Sequence, residues 1–155
     1  MIYGKLNSLA PFATQESWDN SGLLVGDPGA EVKTALVVPD ITAEAVREAR
    51  EIGAELIISH HPVIFHPLKK VESGSVVWEL AQAGISAICA HTNLDKARGG
   101  VNDCLAAALG LEHVTNYAVE GREKHYKLAV FVPVSHAEAV RHAMIGAGAG
   151  TIGGY

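Results

Sequence analysis

Histidine and aspartate side chains directly follow two apolar segments of the chain. One segment runs into His60 and His61, and a later one runs into His91 and then Asp95. Because sites in an open α/β sheet form outside the carboxyl ends of its strands, we expect these four side chains to lie together. Imidazole and carboxylate groups are ligands that suit Zn, Fe, Ni or Mn. The residues therefore predict a metal-dependent protein.

Each of these clusters also has a structural interpretation. Pro62 favours extended geometry at His61, and beyond the strand end both rings can face one cavity or serve two metals. One ring could instead be a packed or hydrogen-bonded core histidine. Asp95 could cap a helix above a packed His91. Since both clusters follow strands of one predicted sheet, we favour metal binding, with Asp95 on one ion or bridging two ions about 3.5–4 Å apart.

Several neighbouring residues could support this site. Asp40 follows a strand at the same rim and is either a partner that orients a ligand imidazole or a cap or turn residue. His66 is interpreted as a rim residue rather than a ligand. Gly99 and Gly100 resemble an anion-binding loop at a helix N-terminus, but the P-loop Lys-Ser/Thr is missing. A tight connection is the favoured interpretation there.

Other polar residues receive structural roles. Trp18-Asp19-Asn20 is interpreted as a buried turn, with Trp18 in the core and Asp19 or Asn20 bonded to backbone; participation in the site is less favoured. Ser59 precedes His60, but the Gly-x-Ser-x-Gly motif of a nucleophile elbow is absent from the sequence. The remaining histidines are interpreted as surface or structural residues: His113, His125, His136 and His142.

The elements around the site alternate between apolar strands and helices. The predicted strands are Leu23–Val25, Thr34–Val38, Leu56–Ser59 and Ile85–Ala90, and the predicted helices cover 2–13, Ala43–Ile52, Val76–Ala83 and Val101–Leu109. This alternation predicts a parallel α/β sheet. The nearly continuous apolar character of the strands predicts that both faces of the sheet are covered.

The pattern changes after about residue 112. Glu112–Val119 is compatible with a strand, and Tyr126–Val132 is predicted to be a buried strand. Ser135 is predicted to cap a helix that runs from His136 to about Ala147. One strand and one helix cannot form a core of their own. We therefore expect the opening of a second unit here.

Composition and charge exclude several classes of protein. Hydrophobic residues make up 48% of the chain and charged residues 19%, which is enough apolar material for a sizeable core. The net charge of −5 disfavours a nucleic-acid binder, which would present a basic face. Cys89 and Cys104 fit free thiols better than a disulfide scaffold. Neither a signal peptide nor an apolar stretch of the ~20 residues that cross a bilayer is evident, so a cytoplasmic location is expected.

Three stretches of the sequence carry a family resemblance. Residues 18–26 read Trp-Asp-Asn-Ser-Gly-Leu-Leu-Val-Gly, residues 58–65 read Ile-Ser-His-His-Pro-Val-Ile-Phe, and residues 91–95 read His-Thr-Asn-Leu-Asp, followed by Gly-Gly-Val-Asn-Asp at 99–103. In combination they resemble the Nif-three-like family (NGG-interacting-factor-like proteins). Members of this family are often named GTP cyclohydrolase I type 2 homologues.

The resemblance implies a layered α/β domain with a dinuclear metal site, in a ring-shaped hexamer. By motif match, two divalent ions (Zn, Fe, Mn or Ni) would be bound by His60, His61, His91 and Asp95. Many bacterial members also carry an inserted α+β domain similar to P-II/CutA proteins, and Lys127–Val132 with His136–Ala147 resembles its opening. We therefore predict a metal-binding α/β domain over residues 1–124 and the start of a P-II/CutA-like insert over 125–155.

The resemblance also implies a function. It favours a dinuclear metal-dependent hydrolase-like protein that uses a metal-activated water, either as a GTP cyclohydrolase or on another nucleotide or phosphoester. The alternative is a non-catalytic metal-binding or regulatory interaction protein. Expected partners are a nucleotide or phosphorylated small molecule and further copies of the chain, without nucleic acid or membrane. The family completes its site with His-x-x-x-Glu late in a longer chain; this spacing is absent from the sequence, so we expect a fragment.

Overall fold

The computed structural model describes residues 2–115 and 126–150. The chain divides into two compact units, Met1–Val114 and Thr115–Tyr155. All four predicted metal ligands lie in the first unit. The assignment of the residues after 124 to an inserted P-II/CutA-like domain stays a prediction.

The first unit alternates strands and helices as the sequence predicts. Its strands are β1 (Gly22–Val25), β2 (Ala35–Val38), β3 (Leu56–Ser59) and β4 (Ser86–Cys89). Its helices are α1 (Ile2–Leu9), α2 (Ala43–Glu51), α3 (Val76–Ala83), α4 (Thr92–Lys96) and α5 (Val101–Ala108), with a short 3-10 helix at Phe12–Thr14. The mixed α/β fold is therefore confirmed. Helix α4 was not predicted as a separate element.

The four strands form one sheet in the order β1-β4-β3-β2. Strands β2, β3 and β4 are parallel, with Ala35 opposite Leu56 and Leu56 opposite Ser86. The prediction of an all-parallel sheet is wrong for β1, which pairs antiparallel with β4 and places Gly22 opposite Cys89. The segment between β1 and β2 contains no helix, so β1 does not begin a βαβ crossover and joins the edge in the opposite direction.

The main core lies between one face of the sheet and helices α2 and α3. Its buried residues are Ile41, Val46, Ala49, Ala54, Ile57, Leu80, Ile85 and Ala87. A smaller cluster of Phe12, Leu56 and Ile88 lies on the other face, packed against Ile2 and Leu6 of α1. Strand β4 is therefore buried along its whole length and β3 at all positions except the partly buried Ile58, whereas the edge strand β2 leaves Val37 73% exposed.

Local sequence explains where the two core helices begin and end. The Thr42 hydroxyl accepts a hydrogen bond from the backbone N–H of Ala45 and begins α2, as predicted. The Ser75 hydroxyl does the same for α3 through Trp78, and Gly84 ends that helix in the left-handed conformation. The caps therefore fix the start of α2 and both ends of α3.

The second unit differs from the sequence prediction. Tyr126–Val132 is not a strand, which corrects that prediction. Tyr126 is 86% and Phe131 99% exposed, and the segment has no strand partner among the described residues, so it lacks the hydrogen-bonded neighbour that a strand requires. Residues 112–115 also contain no strand, and the rest of the predicted strand Glu112–Val119 lies outside the described residues.

The predicted helix of the second unit is present as α6 (Ala137–Gly146). It follows a 3-10 turn at Val134–His136, and its N-cap position is His136. The prediction that Ser135 caps this helix is wrong, because its hydroxyl lies 3.0 Å from Nδ1 of His136 instead of meeting a helix N–H. Among residues 2–115 and 126–150, helices long and apolar enough to cross a membrane are absent.

Candidate metal centre

The three histidines meet at the carboxyl end of the parallel strands. His60 and His61 follow β3, and His91 follows β4 two positions after Cys89. Because β3 and β4 pair in parallel with Ser59 opposite Cys89, both strands end at the same level. The ring centroids lie 4.9 to 5.6 Å apart, and one nitrogen from each ring lies within 4.8 Å of the others.

Helix α4 places Asp95 beside His60 of this cluster. The backbone N–H of Asp95 bonds to the carbonyl of His91, so Asp95 lies one helical turn after His91. Its Oδ1 lies 3.6 Å from Nε2 of His60. Two ligands that each sit about 2.0–2.2 Å from one ion can be this far apart. The structure therefore brings the three predicted histidines together and places Asp95 beside one of them, His60. The assignment of all four residues as ligands stays a prediction.

Each of the three rings has its Nδ1 held by an oxygen that can only accept a hydrogen bond. Nδ1 must therefore carry the proton, and a neutral ring presents the bare lone pair of Nε2. This is the arrangement that orients imidazoles in metal sites. The cluster could therefore hold a metal ion. The Nδ1–oxygen pairs are His60 with the Ala90 carbonyl (3.0 Å), His61 with Asp40 (2.8 Å) and His91 with Asp19 (2.8 Å).

The Asp19 carboxylate accepts several hydrogen bonds, and its side chain is completely buried. Its Oδ1 accepts from His91 and from the N–H of Asn20, and its Oδ2 accepts from the N–H and hydroxyl of Thr92 and from the Ser21 hydroxyl. Burial acts to raise the pKa of this carboxyl. The hydrogen bonds, led by those of the Thr92 and His91 side chains, outweigh it and hold the pKa well below its usual range. Asp19 is therefore ionised.

The Trp18-Asp19-Asn20 segment contacts the histidine cluster, although participation in the site was the less favoured prediction for it. The placement of Trp18 in the core is wrong, since this side chain is 60% exposed beside the ring of His91. Asp19 does bond to backbone, as expected, but it also holds His91, which lies 72 residues later in the chain. Local spacing cannot reveal a bond of that range. The only signal was a carboxylate in a turn-rich segment before a strand.

Asp40 contacts a histidine of the cluster, whereas His66 does not. Of the two roles left open for Asp40, its 2.8 Å contact with His61 favours orientation of an imidazole. Both partners are about half exposed, at 57% and 52%. His66 is exposed, contacts the ring of Phe65, and is not part of the histidine cluster among the described residues.

The Gly99-Gly100 segment is a tight connection between α4 and α5, as favoured. Gly99 has a φ of +73°, and Gly100 is the N-cap position of α5. A Cβ added to Gly100 would lie 1.9 Å from the carbonyl oxygen of Leu94. The absence of a side chain is therefore what allows α5 to start against α4.

The remaining polar candidates take structural positions. The Ser59 hydroxyl donates to the carbonyl of His61, which agrees with rejecting it as a nucleophile. Three of the other histidines are exposed, and His125 lies outside the described residues; the exposed ones are His113, His136 and His142. Cys89 is buried under the cluster and donates its thiol to the His60 carbonyl. Burial, and then the charge of Asp19, raises the pKa of this thiol to about 12.

The fold and the site together define an α/β protein with a carboxylate-supported histidine cluster at the end of its sheet. The family described as Duf34/NIF3 (NGG1p interacting factor 3) matches residues 1–154. The chain belongs to this family, as its resemblance implied.

Two sequence relatives are each named GTP cyclohydrolase 1 type 2 homolog. The protein from Halalkalibacterium halodurans is 42% identical over 141 residues, which cover 88% of this chain and 38% of the relative. The protein from Listeria innocua is 38% identical over 152 residues, which cover 96% and 41%. The chain thus spans about two fifths of the length of these curated relatives.

Two solved structures show the same fold. A Bacillus cereus protein related to NIF3 is 40% identical with a TM-score of 0.73, over 99% of this chain and 44% of that chain. Reduced HcgD from Methanocaldococcus jannaschii is 30% identical with a TM-score of 0.66, over 72% and 46%. The layered α/β architecture of the first unit is therefore shared with NIF3-related proteins.

Proposed function

We propose that this chain provides a divalent metal site of a hydrolase-like protein, with His60, His61, His91 and Asp95 as ligands. The observation that carries the proposal is that all three imidazole rings are hydrogen-bonded through Nδ1. Each Nδ1 is bonded to an acceptor, which leaves the Nε2 lone pair of each ring free, and one nitrogen of each ring lies within 4.8 Å of the others. Such partners fix ring orientation and increase ligand basicity.

The charges at this place also favour a cation. Asp19, Asp40 and Asp95 lie next to three imidazoles that are neutral when they bind metal, so the cluster carries a negative field. We propose two ions, chosen among Zn, Fe, Mn and Ni, with Asp95 on one ion or between them. Four side chains do not fill the coordination of two ions, so positions stay open for water and substrate.

A divalent ion bound here would supply a Lewis acid that lowers the pKa of water towards about 7. The residues of the chain hold the site in shape for this chemistry. Asp19 keeps the proton of His91 on Nδ1 from a buried position, and Asp40 does the same for His61 from the surface. The Cys89 thiol is buried below the cluster and donates to the carbonyl of His60, and we do not include it among the proposed ligands.

The proposed substrate is GTP, in a cyclohydrolase reaction, or another nucleotide or phosphoester. Support comes from the printed names of the relatives and from the open coordination positions. From the family resemblance we also propose that the full-length protein assembles as a hexameric ring and acts in the cytoplasm. The alternative proposal is a metal-binding or regulatory protein without catalysis.

Elemental analysis of the purified chain tests the metal site. We expect metal in the wild type and in His66→Ala, and loss of metal in His61→Ala and Asp95→Ala. His66→Ala is the matched control because it removes an exposed imidazole close in sequence but outside the cluster. Absence of metal in the wild type, or equal content in all variants, would contradict the proposal.

Turnover assays separate the two functional alternatives. Protein loaded with Zn, Mn or Fe is incubated with GTP and with a phosphoester, and the products are measured. Turnover that disappears in His61→Ala supports the hydrolase. Stable metal binding without turnover of either compound favours the non-catalytic alternative.

A further inference from the structure

Two large aromatic side chains lie exposed beside the histidine cluster. Trp18 is 60% exposed and Phe65 is 40% exposed. Their ring centroids are 6.1 Å apart with an interplanar angle of 58°, and each centroid lies 6.4 Å from that of His91. Neither ring is among the buried residues of the two core clusters. The pair therefore presents aromatic surface to solvent next to the site.

Both rings are carried by anchored backbone. Trp18 directly precedes Asp19, which is fixed by its buried hydrogen bonds. The Asn20 side-chain amide donates at 2.6 Å to the carbonyl of Ile64, the residue before Phe65. This bond joins two segments that are 44 residues apart in the sequence. The position of one ring relative to the other is therefore set by polar contacts outside the rings.

We propose that Trp18 and Phe65 form a binding site for a planar, uncharged or anionic heteroaromatic ring such as a nucleobase. The inference rests on the proposed function and names the substrate class of that site. A planar ring stacks on one exposed aromatic face and meets the edge of the second ring, which are the two favoured aromatic geometries. Stacked there, it lies next to His91 and the proposed metal.

Charge decides between an aromatic ring and a cation as the occupant. An exposed indole also attracts ammonium groups through its face. With the two proposed divalent ions bound, their four positive charges exceed the three negative charges of Asp19, Asp40 and Asp95. The occupied site therefore disfavours a cation and accepts a neutral or an anionic ring. The heteroaromatic ring is therefore the occupant that fits both the aromatic pair and the adjacent site.

The two tryptophans allow a test with an internal control. Trp78 lies on α3 and is 39% exposed. In an NMR spectrum of the ¹⁵N-labelled 155-residue chain, the two indole N–H signals are assigned with Trp78→Phe. Adenosine is titrated as the probe, with ribose as the control that lacks the base. We expect adenosine to shift the Trp18 signal saturably and to leave Trp78 unchanged, and ribose to shift neither.

Substitution of the second ring then locates the site. Phe65→Leu should weaken adenosine binding about tenfold, in line with the loss of one aromatic contact. Phe131→Leu is the matched control, because Phe131 is 99% exposed and belongs to the second unit. The adenosine affinity of this variant should equal that of the wild type. The backbone amide signals report whether each variant stays folded.

Several results would overturn the proposal. They are an unchanged Trp18 signal up to the solubility limit of adenosine, equal shifts of both indoles, an equal response to ribose, and a stronger response to choline than to adenosine. The titration is run on metal-free and on Zn-loaded chain. Adenosine binding to a chain that takes up no metal would support the aromatic binding site and refute the proposed metal site. Metal uptake without adenosine binding would support the metal site and refute the aromatic binding site.

Discussion

Asp19 accepts a hydrogen bond from Nδ1 of His91 at 2.8 Å, and the Asp19 side chain is completely buried. The contact between Asp40 and His61 has the same length, but both of those residues are about half exposed. The two pairs therefore offer the same chemistry in two dielectric environments. A buried charged hydrogen bond orients its partner more strongly than one that competes with water.

Replacement of these two aspartates should affect metal affinity unequally. Asp19→Asn removes the negative charge behind His91 and replaces one accepting oxygen by an amide NH2 group, which can only donate. We expect Zn affinity to fall about 10- to 100-fold. Asp40→Asn should have a smaller effect, because water can replace its exposed carboxylate. Calorimetric titration of both variants with Zn gives the comparison. Equal losses would show that burial of Asp19 does not matter for the site.

The low pKa of Asp19 predicts a dependence of stability on pH. Because the carboxyl binds its proton less readily in the folded chain than in the unfolded chain, its contribution is present above the unfolded pKa of about 3.9 and is lost as the pH falls below it. Urea unfolding of the metal-free chain between about pH 5 and about pH 3 should show this loss. Asp19→Asn should have a flatter profile over that range. Parallel profiles for the two proteins would contradict the assignment.

The two cysteines should differ in reactivity. Cys89 is 1% exposed, and its raised pKa of about 12 keeps it a thiol at pH 8, whereas Cys104 is exposed. A maleimide should therefore modify Cys104 in the native chain and Cys89 only after unfolding. Mass spectrometry of peptides from labelled protein reads out each site. Rapid labelling of Cys89 in native Cys104→Ser would be inconsistent with its burial under the cluster.

Gly100 should be intolerant of a side chain. Its added Cβ would overlap the carbonyl oxygen of Leu94, the residue before Asp95, so Gly100→Ala should cost about 1–3 kcal/mol and displace α4. Gly4→Ala is the control, because a Cβ there has no neighbour within 4 Å and alanine favours a helix. The free energy of unfolding and the Zn content are measured for both. A Gly100→Ala chain with wild-type values would refute the tight packing of α4 against α5.

The sequence predicted the elements whose signals are local. Apolar runs located β3 and β4, and the caps at Thr42 and Gly84 agree with the helix boundaries of the structure. The position of His60 and His91 at strand ends was enough to predict that they meet, because neighbouring parallel strands end at one edge of the sheet.

Features that depend on distant partners could not be predicted in the same way. The direction of β1 depends on its pairing with β4, and the role of Asp19 depends on a residue 72 positions away. Trp18 looked like a core residue because large aromatic side chains are usually buried, yet it lies exposed beside the site. The apolar segment Tyr126–Val132 has strand-like composition, but composition does not supply a neighbouring strand.

We propose that the Nε2 atoms of His60, His61 and His91 bind metal together with Asp95. The most direct measurement is X-ray absorption spectroscopy of the Zn-loaded chain. We expect nitrogen and oxygen ligands at about 2.0–2.1 Å with the outer-shell pattern of several imidazoles, and loss of imidazole signal in His91→Ala. A sulfur ligand at about 2.3 Å, which would implicate a cysteine, or a spectrum without imidazole, would contradict this ligand set.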